Sequence, residues 1–319
     1  MRKKIMFILN TFAGKAQIKN KLIDILDIFT KNDFEITIYP TQRGEDAMEL
    51  IRDLPEGIYE LVVCSGGDGT LDQVVTGMMK RQEKIPIGYI PTGSTNDFAN
   101  SLKIPKNIVK AAEVTVGNDY FLSDIGSFNH DNFVYIAAFG IFTDVSYQTK
   151  QEVKNILGHA AYILEGVKRL SSIRSYQLKI ECNGEIIEDE FIFGMVTNSI
   201  SVGGFKNMTG KNVLLDDGLF EAAFIKKPNN PIELQEIIAT LLIEDLNSQY
   251  ICSYKTNRVV FSSEEAIPWT LDGEFGGEHK EAVIINNKQA LSIKVDLEQK
   301  LLIQQHNEKE NNCTDTSLE

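Results

Sequence analysis

The sequence predicts an α/β domain with a parallel sheet, followed by a mainly antiparallel β domain. Over the first hundred residues, short apolar runs alternate with segments whose apolar residues recur at helical spacing. This alternation is typical of a parallel sheet covered by helices. Past about residue 120, short β-rich runs dominate. The 319 residues exceed one ordinary core and suit two domains.

The N-terminal part is predicted to contain four strands and three helices. The strands are residues 5–9, 34–39, 61–64 and 85–90, and the helical stripes cover 18–29, 47–51 and 71–79. Ligands of such sheets bind at the carboxyl ends of the strands. The loops that follow the strands are therefore the first places to look for a site.

The C-terminal part is predicted to be a β sandwich or barrel, interrupted by helices near 153–170 and 231–246. Asn183-Gly184 between two apolar runs is a strong hairpin signal. The polar, aperiodic residues 306–319 predict disorder. The expected strands are residues 133–138, 176–182, 190–196, 218–225, 258–261, 282–285 and 290–295.

Composition excludes several classes of function. The net charge of −13 argues against a nucleic-acid partner, because neutralising phosphates requires clustered cations. The scattered four cysteines and four histidines favour neither a disulfide framework nor a zinc site. No apolar run approaches the roughly 20 residues that span a bilayer. We therefore expect a cytoplasmic protein.

The first candidate binding loop is GGDGT, residues 66–70, between a predicted strand and a predicted helix. Unpaired peptide N–H groups and the helix dipole make such a junction attractive to phosphate, and glycine lets the phosphate approach closely. The loop is neither a Walker A sequence nor a G-x-G-x-x-G fingerprint, since Asp72 stands at the last glycine position. A tight turn capped by Asp68 is the alternative interpretation.

A second loop of the same kind, IPTGSTNDFANSL at residues 90–102, follows the fourth predicted strand. A third, residues 10–14, follows the first. Turn formers and hydroxyl groups at neighbouring strand ends favour one phosphate-bearing ligand shared by all three loops.

The motifs and their order resemble the catalytic domain of the diacylglycerol kinase family, the soluble bacterial lipid kinases. The resemblance is carried by GGDGT with PTGSTNDFA, by NTFAGK at 10–15, by LLDDGLFEAAF at 214–224 and by LDGEFGG at 271–277. Thr11 stands where the family usually has proline. Relatives in the wider superfamily include the NAD kinases.

The resemblance implies the domain organisation and the partners. It implies a doubly wound, parallel-sheet nucleotide-binding domain of residues 1–125 plus about 293–310, and an antiparallel β-sandwich of residues 126–292 that binds the acceptor. Residues 311–319 would form a disordered tail. The expected partner is a lipid substrate at a membrane surface, with peripheral association. A homodimer, common among such relatives, is a further expectation.

The resemblance also implies ATP and Mg²⁺ as cofactors and assigns residues to them. The expected ATP contacts are Asn10, Thr11, Phe12, Ala13, Gly14, Thr41, Gly66, Gly67, Asp68, Gly69, Thr70, Leu71, Asp72, Ser94, Thr95, Asn96 and Asp97.

For catalysis, the resemblance implies Glu274 as the general base, with Asp272 beside it, and a catalytic Asp68. It places one magnesium at the side chain of Asp217 and the backbone carbonyls of Leu214 and Leu219. Asp68, Asp97 and Asp124 would form a water-bridged acidic network around the magnesium of the nucleotide. Phosphoryl transfer suits these residue types, because it requires positioning and charge neutralisation.

The acceptor is predicted less directly. Apolar candidates for a lipid cleft are Phe139, Ile141, Phe142, Tyr147 and the helix at 153–170, with core packing as the alternative. Interspersed lysines, among them Lys15, Lys19, Lys21, Lys150 and Lys154, are candidates for a cationic face. The competing interpretations are a kinase for another lipid alcohol, for a sphingoid base or for NAD. A further alternative is a nucleotide-binding regulator that catalyses no reaction.

Overall fold

A computed structural model describes residues 2–13, 18–141, 143, 174–199, 213–243, 248–299 and 301. Strands and helices alternate in its N-terminal part, as the sequence predicts. The elements are β1 (Lys3–Leu9), α1 (Ile18–Lys31), β2 (Phe34–Pro40), α2 (Asp46–Asp53), β3 (Leu61–Gly66), α3 (Asp68–Met79), β4 (Ile87–Pro91), α4 (Asp97–Ser101) and α5 (Ile108–Thr115).

The first four strands form a parallel sheet in the order β2-β1-β3-β4. The chain moves outward from β1 to β2 and then crosses back to β3. Because such crossovers are right-handed, the reversal puts α1 and α2 on opposite faces of the sheet. Helix α3 packs beside α2, and α5 beside α1. The strands β3 and β4 are buried along their whole length, which explains their continuous apolar runs.

The C-terminal part is mainly antiparallel, as predicted. Its elements are β5 (Tyr120–Phe128), β6 (Asp131–Phe133), β7 (Ile136–Gly140), β8 (Tyr176–Cys182), β9 (Glu185–Thr197), β10 (Phe220–Lys226), α6 (Pro231–Ile243), β11 (Ile251–Thr256), β12 (Arg258–Leu271) and β13 (Glu274–Lys294).

Four of these strands close on one another around an aromatic core. Both β9 and β12 pair with β8 along one half and with β7 along the other. Phe139, Phe261 and Trp269 meet inside, with ring centroids of Phe139 and Trp269 4.9 Å apart. Phe139 is therefore a core residue, and the expectation that it lines a lipid cleft is wrong.

The end of β13 returns the chain to the first sheet. Ile293 of β13 pairs in parallel with Ile87 of β4, and the N–H group of Val295 donates to the carbonyl of Asp119. Strand β5 runs alongside β13 and crosses residue 125, the expected domain limit. The domain boundaries themselves stay predictions.

Several predicted elements differ from those observed. The runs at 282–285 and 290–295 belong to one strand, β13, whose polar residues 286–289 separate them in the sequence. Elements α5, β5 and β11 were not expected. The hairpin at Asn183-Gly184 is confirmed, with φ of 52° and 81°, and joins β8 to β9. The predicted helix at 153–170 and the residues from 302 onward lie outside the described residues.

None of the described helices combines the length and apolar character needed to cross a membrane.

Candidate active site

The site begins at the carboxyl edge of the parallel sheet, where the loops after β1, β2, β3 and β4 start side by side. The N–H group of Asn10 donates to the carbonyl of Ser65 over 2.8 Å, and that of Thr92 to the carbonyl of Gly66 over 2.8 Å. The N–H group of Thr41 donates to the carbonyl of Leu9 over 3.0 Å. These bonds bring the three predicted loops to one edge.

The loop at residues 66–70 and the loop at residues 90–102, here called the two glycine loops, contact each other through their backbones. A Cβ atom at Gly93 would stand 2.5 Å from the Cα atom of Gly67, which no real side chain tolerates. At Gly66 a Cβ atom would stand 2.4 Å from Cβ of Thr70, inside the turn that leads into α3. The glycines at these positions are thus required by close approach, as their pattern in the sequence suggests.

Helix α3 begins directly at this edge. Its N-cap is Gly67, which provides no side-chain cap, and the N–H groups of Thr70 and Leu71 both donate to the carbonyl of Gly67. The first peptide N–H groups of a helix lie outside its own hydrogen-bond ladder. The side chain of Leu71 is buried in the core, so this residue can contribute only backbone to a ligand.

The loop after β1 is tied to α3 through side chains. The amide nitrogen of Asn10 donates to Oγ1 of Thr70 over 3.1 Å, while its Oδ1 accepts the N–H group of Phe12. Phe12 is 79% exposed, and Thr11 and Ala13 are half-buried. Gly14 lies outside the described residues.

The loop after β4 is organised by Asn96. This residue adopts a left-handed conformation, with φ of 53°, and its Oδ1 accepts hydrogen bonds from the N–H group of Gly93 and the hydroxyl of Tyr89. Its own N–H group donates to Oδ2 of Asp68 over 2.9 Å. Asn96 thereby fixes the second glycine loop to the first turn of α3. Ser94 and Thr95 are exposed at the edge.

Asp68 and Asp97 lie close enough to act on each other. Burial, and then the negative charge of Asp97, raise the pKa of Asp68. Oδ1 of Asp68 is buried and accepts no hydrogen bond in the described part of the chain. Asp97 itself is buried at the start of α4.

Asp272 and Glu274 lie at the turn between β12 and β13. Leu271 pairs with Glu274, and the two intervening residues, Asp272 and Gly273, have φ of 50° and 84°, which makes a tight two-residue hairpin. Glu274 is exposed, and its Oε1 lies 3.7 Å from where a Cβ atom of Gly69 would stand. The hairpin thus reaches the first turn of α3.

Asp272 itself is buried and serves as an anchor. Its carboxylate accepts the N–H groups of Val134, Tyr135 and Ile136 at 2.6, 2.9 and 2.9 Å. Its own N–H group donates to the carbonyl of Ile136. These bonds fix the hairpin to the segment between β6 and β7.

Tyr135 is a residue of this site that sequence reasoning missed. Its hydroxyl donates to the carbonyl of Asp272 over 3.0 Å. Burial, followed by the charges of Asp272, Asp68, Asp97 and Asp72, raises the pKa of Tyr135 well above its ordinary value. Tyr135 stands in the apolar run FVYIAAF, whose pattern is typical of an ordinary core strand, so no local pattern marks this tyrosine as functional.

Asp124 lies near Asp217, and its expected water-bridged network with Asp68 and Asp97 stays a prediction. Its Oδ2 accepts the N–H group of Gly218, and its Oδ1 that of Gln289, each over 2.7 Å. Burial raises the pKa of Asp124, and the charge of Asp217 adds to the effect. Oδ1 of Asp217 accepts the N–H group of Leu219.

The described residues contain no group of three or more His, Cys, Asp or Glu side chains arranged to hold a metal ion. Leu214 and Leu219 are half-buried on either side of Asp217. Of the expected cleft and cationic residues, Phe142, Tyr147, 153–170, Lys15, Lys150 and Lys154 lie outside the described part. Lys19 and Lys21 are exposed on α1.

Comparison with known proteins places the chain among kinases. Residues 4–128 match the model of the diacylglycerol kinase catalytic domain. A diacylglycerol kinase of Bacillus subtilis is 33% identical over 86% of this chain and 91% of its own length. One of Staphylococcus carnosus is 34% identical over 92% of this chain and 95% of its own.

Solved structures share the fold. A crystal structure of a putative diacylglycerol kinase from Bacillus anthracis has a TM-score of 0.76 and 23% identity, covering 93% of this chain and 98% of that one. An NAD kinase from Archaeoglobus fulgidus, solved in complex with ATP, has a TM-score of 0.50 and 13% identity, covering 96% and 98%.

The fold, the glycine loops and these relatives define a phosphotransferase of the lipid kinase class. Such enzymes need a cradle for phosphate groups and a group that activates the accepting alcohol. The chain belongs to the diacylglycerol kinase family.

Proposed function

We propose that this protein phosphorylates the free hydroxyl of diacylglycerol to give phosphatidic acid, with ATP as the donor, Mg²⁺ as the cofactor and Glu274 as the general base. The observation that carries the proposal is the approach of the exposed Glu274 carboxylate to Gly69, at the start of α3. The carboxylate that would act as the base and the start of α3 that would bind phosphate then face the same space.

The nucleotide is proposed to bind along the carboxyl edge of the parallel sheet. The start of α3 offers peptide N–H groups to the phosphates, and the backbone contact of Gly67 with Gly93 leaves no side chain in the way. Support also comes from the NAD kinase of similar fold, whose structure holds ATP.

The residues present suit a magnesium ion beside the nucleotide. Oδ1 of Asp68 is buried without a hydrogen-bond partner among the described residues, and Asp97 adds a second carboxylate nearby. Magnesium prefers oxygen ligands and keeps several waters, so two carboxylates suffice. When bound, the ion neutralises charge on the phosphate oxygens.

The second magnesium position that we propose is the side chain of Asp217 with the backbone carbonyls of Leu214 and Leu219, since all three offer the oxygen ligands that the ion prefers. Asp124 would support this position rather than bind the ion, because both its carboxylate oxygens already accept backbone N–H groups.

Glu274 is proposed to take the proton of the acceptor hydroxyl as attack proceeds. The acceptor oxygen forms a bond to the γ-phosphorus, the bond from that phosphorus to the β–γ bridging oxygen breaks, and ADP leaves. A base in hydrogen-bond reach typically contributes about 10²–10⁴-fold. Being exposed on a tight hairpin, Glu274 is accessible to an alcohol presented from outside.

We propose that the lipid reaches this base by peripheral contact with a membrane. Phe12 and Phe275 are 79% and 59% exposed, and they stand in the loop after β1 and next to Glu274. Large apolar side chains exposed near a site favour contact with lipid.

The test is a transfer assay with γ-labelled ATP, Mg²⁺ and vesicles containing diacylglycerol. We expect labelled phosphatidic acid, a loss of about 10²–10⁴-fold in kcat for Glu274→Gln, and unchanged ATP binding. Glu278→Gln, on the same strand and also exposed, is the matched control and should keep its activity.

Other products would replace the proposal. Label in another lipid of a total extract would identify a different alcohol. Formation of NADP in place of any lipid product would identify an NAD kinase. Binding of ATP and Mg²⁺ without transfer to any acceptor would identify a nucleotide-binding regulator.

A further inference from the structure

Helix α3 carries two carboxyl groups four residues apart, Asp68 and Asp72, which therefore lie on one face. Asp68 accepts the N–H group of Asn96 and thereby binds the second glycine loop. Asp72, one turn further along, approaches Asp272 closely enough for a side-chain hydrogen bond. The same helix face thus contacts both the nucleotide loops and the hairpin that carries Glu274.

The contact between Asp72 and Asp272 joins two acids, and this requires a proton. Two ionised carboxylates in contact would repel each other, so one proton must be shared between them. Asp272 accepts three backbone N–H groups, which favour its ionised form. The proton therefore resides on Asp72, whose pKa is raised well above its ordinary value by burial and then by the charge of Asp272.

The surroundings of Asp72 support this assignment. The other charges that act on it come from Asp131 at β6 and Glu274 at the hairpin, both acids, and each opposes its ionisation. Tyr135, the further titratable group facing these carboxylates, stays protonated. Oδ1 of Asp72 is buried and accepts no hydrogen bond in the described part of the chain, which suits a neutral carboxyl group.

We infer that Asp72 is a positioning residue whose protonated carboxyl donates to Asp272 and thereby holds Glu274 over the first turn of α3. This inference rests on the proposed role of Glu274. From the sequence, Asp72 is expected to contact the nucleotide. The inference instead makes Asp72 a link between α3 and the hairpin that carries Glu274. The backbone bonds of Asp272 fix the hairpin to residues 134–136, and the contact with Asp72 adds a direct link to α3.

The inference predicts an effect on turnover and not on nucleotide binding. Asp72→Ala removes the donor, and we expect kcat to fall by about 10²-fold, the cost of a small misplacement of a reacting group. The KM for ATP should stay within about twofold. Asp72→Asn keeps a donor toward Asp272 through its amide, and should recover kcat to within about tenfold of the wild type.

The pH profile separates this role from simple support of the fold. In the wild type, rising pH removes the shared proton and leaves two like charges in contact, so kcat should fall as the pH rises through the pKa of Asp72. The amide of Asp72→Asn does not titrate, so this fall should shift or vanish. Gln73→Ala, the neighbouring position on α3, is the matched control and should leave the profile unchanged.

The decisive experiment measures kcat and KM for Asp72→Ala, Asp72→Asn and Glu274→Gln, and for the Asp72→Ala/Glu274→Gln double variant. If Asp72 acts through Glu274, its removal should cost less than about threefold in the Glu274→Gln background, since effects of groups that act together are not additive. A raised KM for ATP with unchanged kcat, or an Asp72→Asn variant as impaired as Asp72→Ala, would overturn the inference. Should Asp72→Ala fail to fold, Asp72→Asn alone decides it through the pH profile. A fully active Glu274→Gln variant would overturn the proposed base, whatever Asp72 does.

Discussion

Oε1 of Glu274 lies 3.7 Å from the place where a Cβ atom of Gly69 would stand, although 205 positions separate the two residues in the chain. Gly69 belongs to the first turn of α3, and Glu274 is the first residue of β13. This contact is where the parallel sheet and the antiparallel half meet at the site. The space above Gly69 is therefore where the phosphate donor and the accepting alcohol are expected to meet.

The first prediction concerns the size of residue 69. A Cβ atom there would make an ordinary van der Waals contact with Glu274, so Gly69→Ala should fold and keep most of its activity. Gly69→Leu would fill the space between the helix terminus and the base, and we expect a fall in kcat/KM of at least about 10²-fold. Steady-state kinetics with diacylglycerol vesicles measure both. Equal activity of the two variants would mean that this space is not used.

The second prediction concerns the backbone contact between the two glycine loops. In Gly93→Ala the new methyl group would meet Cα of Gly67 at 2.5 Å and Oδ1 of Asn96 at 2.7 Å, so the loops must move apart. Overpacking of this kind costs about 1–3 kcal/mol in the free energy of unfolding. We expect that loss in denaturant unfolding, together with weaker ATP binding by calorimetry.

Gly44→Ala provides the control for this variant, because a Cβ atom at Gly44 would meet nothing within 4 Å. It should keep both the stability and the affinity for ATP. Normal ATP affinity in Gly93→Ala would contradict the placement of the nucleotide at these loops.

Much of the N-terminal fold could be predicted because burial on both faces leaves continuous apolar runs, as in β3 and β4. The strands β12 and β13 were harder to foresee. They form a long two-stranded ribbon with irregular register between Ser262 and Ile267, and many of their residues face solvent, so no apolar run marks their full length. Strand β11 lies at the edge of the sheet and is partly exposed. It was not predicted, because its exposed residues interrupt any apolar run.

The candidate site was predictable to the extent that it depends on local chemistry. Parallel strands end at one edge, so the glycine loops after β3 and β4 were expected to lie together, and Gly67 and Gly93 do. The approach of Glu274 to Gly69 depends on how two distant segments pack, which no local pattern encodes. Only the resemblance to a family predicted that Glu274 lies in the same site as the glycine loops. The resemblance assigned Asp72 to the nucleotide and Asp272 to the base, but no local pattern predicts that these two aspartates contact each other.

The last prediction concerns Glu221 on β10, close to Asp217. This carboxyl group is buried, Lys255 lies 3.3 Å from its Oε1, and burial raises its pKa to about 8. Because the folded state holds this proton more tightly than the unfolded chain, the associated stability is present below about pH 4.5 and is lost as the pH rises through about 8.

Glu221→Gln should not show this loss. Its free energy of unfolding, measured relative to the wild type, should therefore rise between about pH 5 and pH 9 by roughly 2–4 kcal/mol. Glu181→Gln, which removes an exposed partner of Lys179, should show a nearly constant difference over the same range and serves as the control. A flat difference for Glu221→Gln in denaturant titrations would mean that Glu221 is already ionised at neutral pH, and that Lys255 offsets the cost of burying its charge.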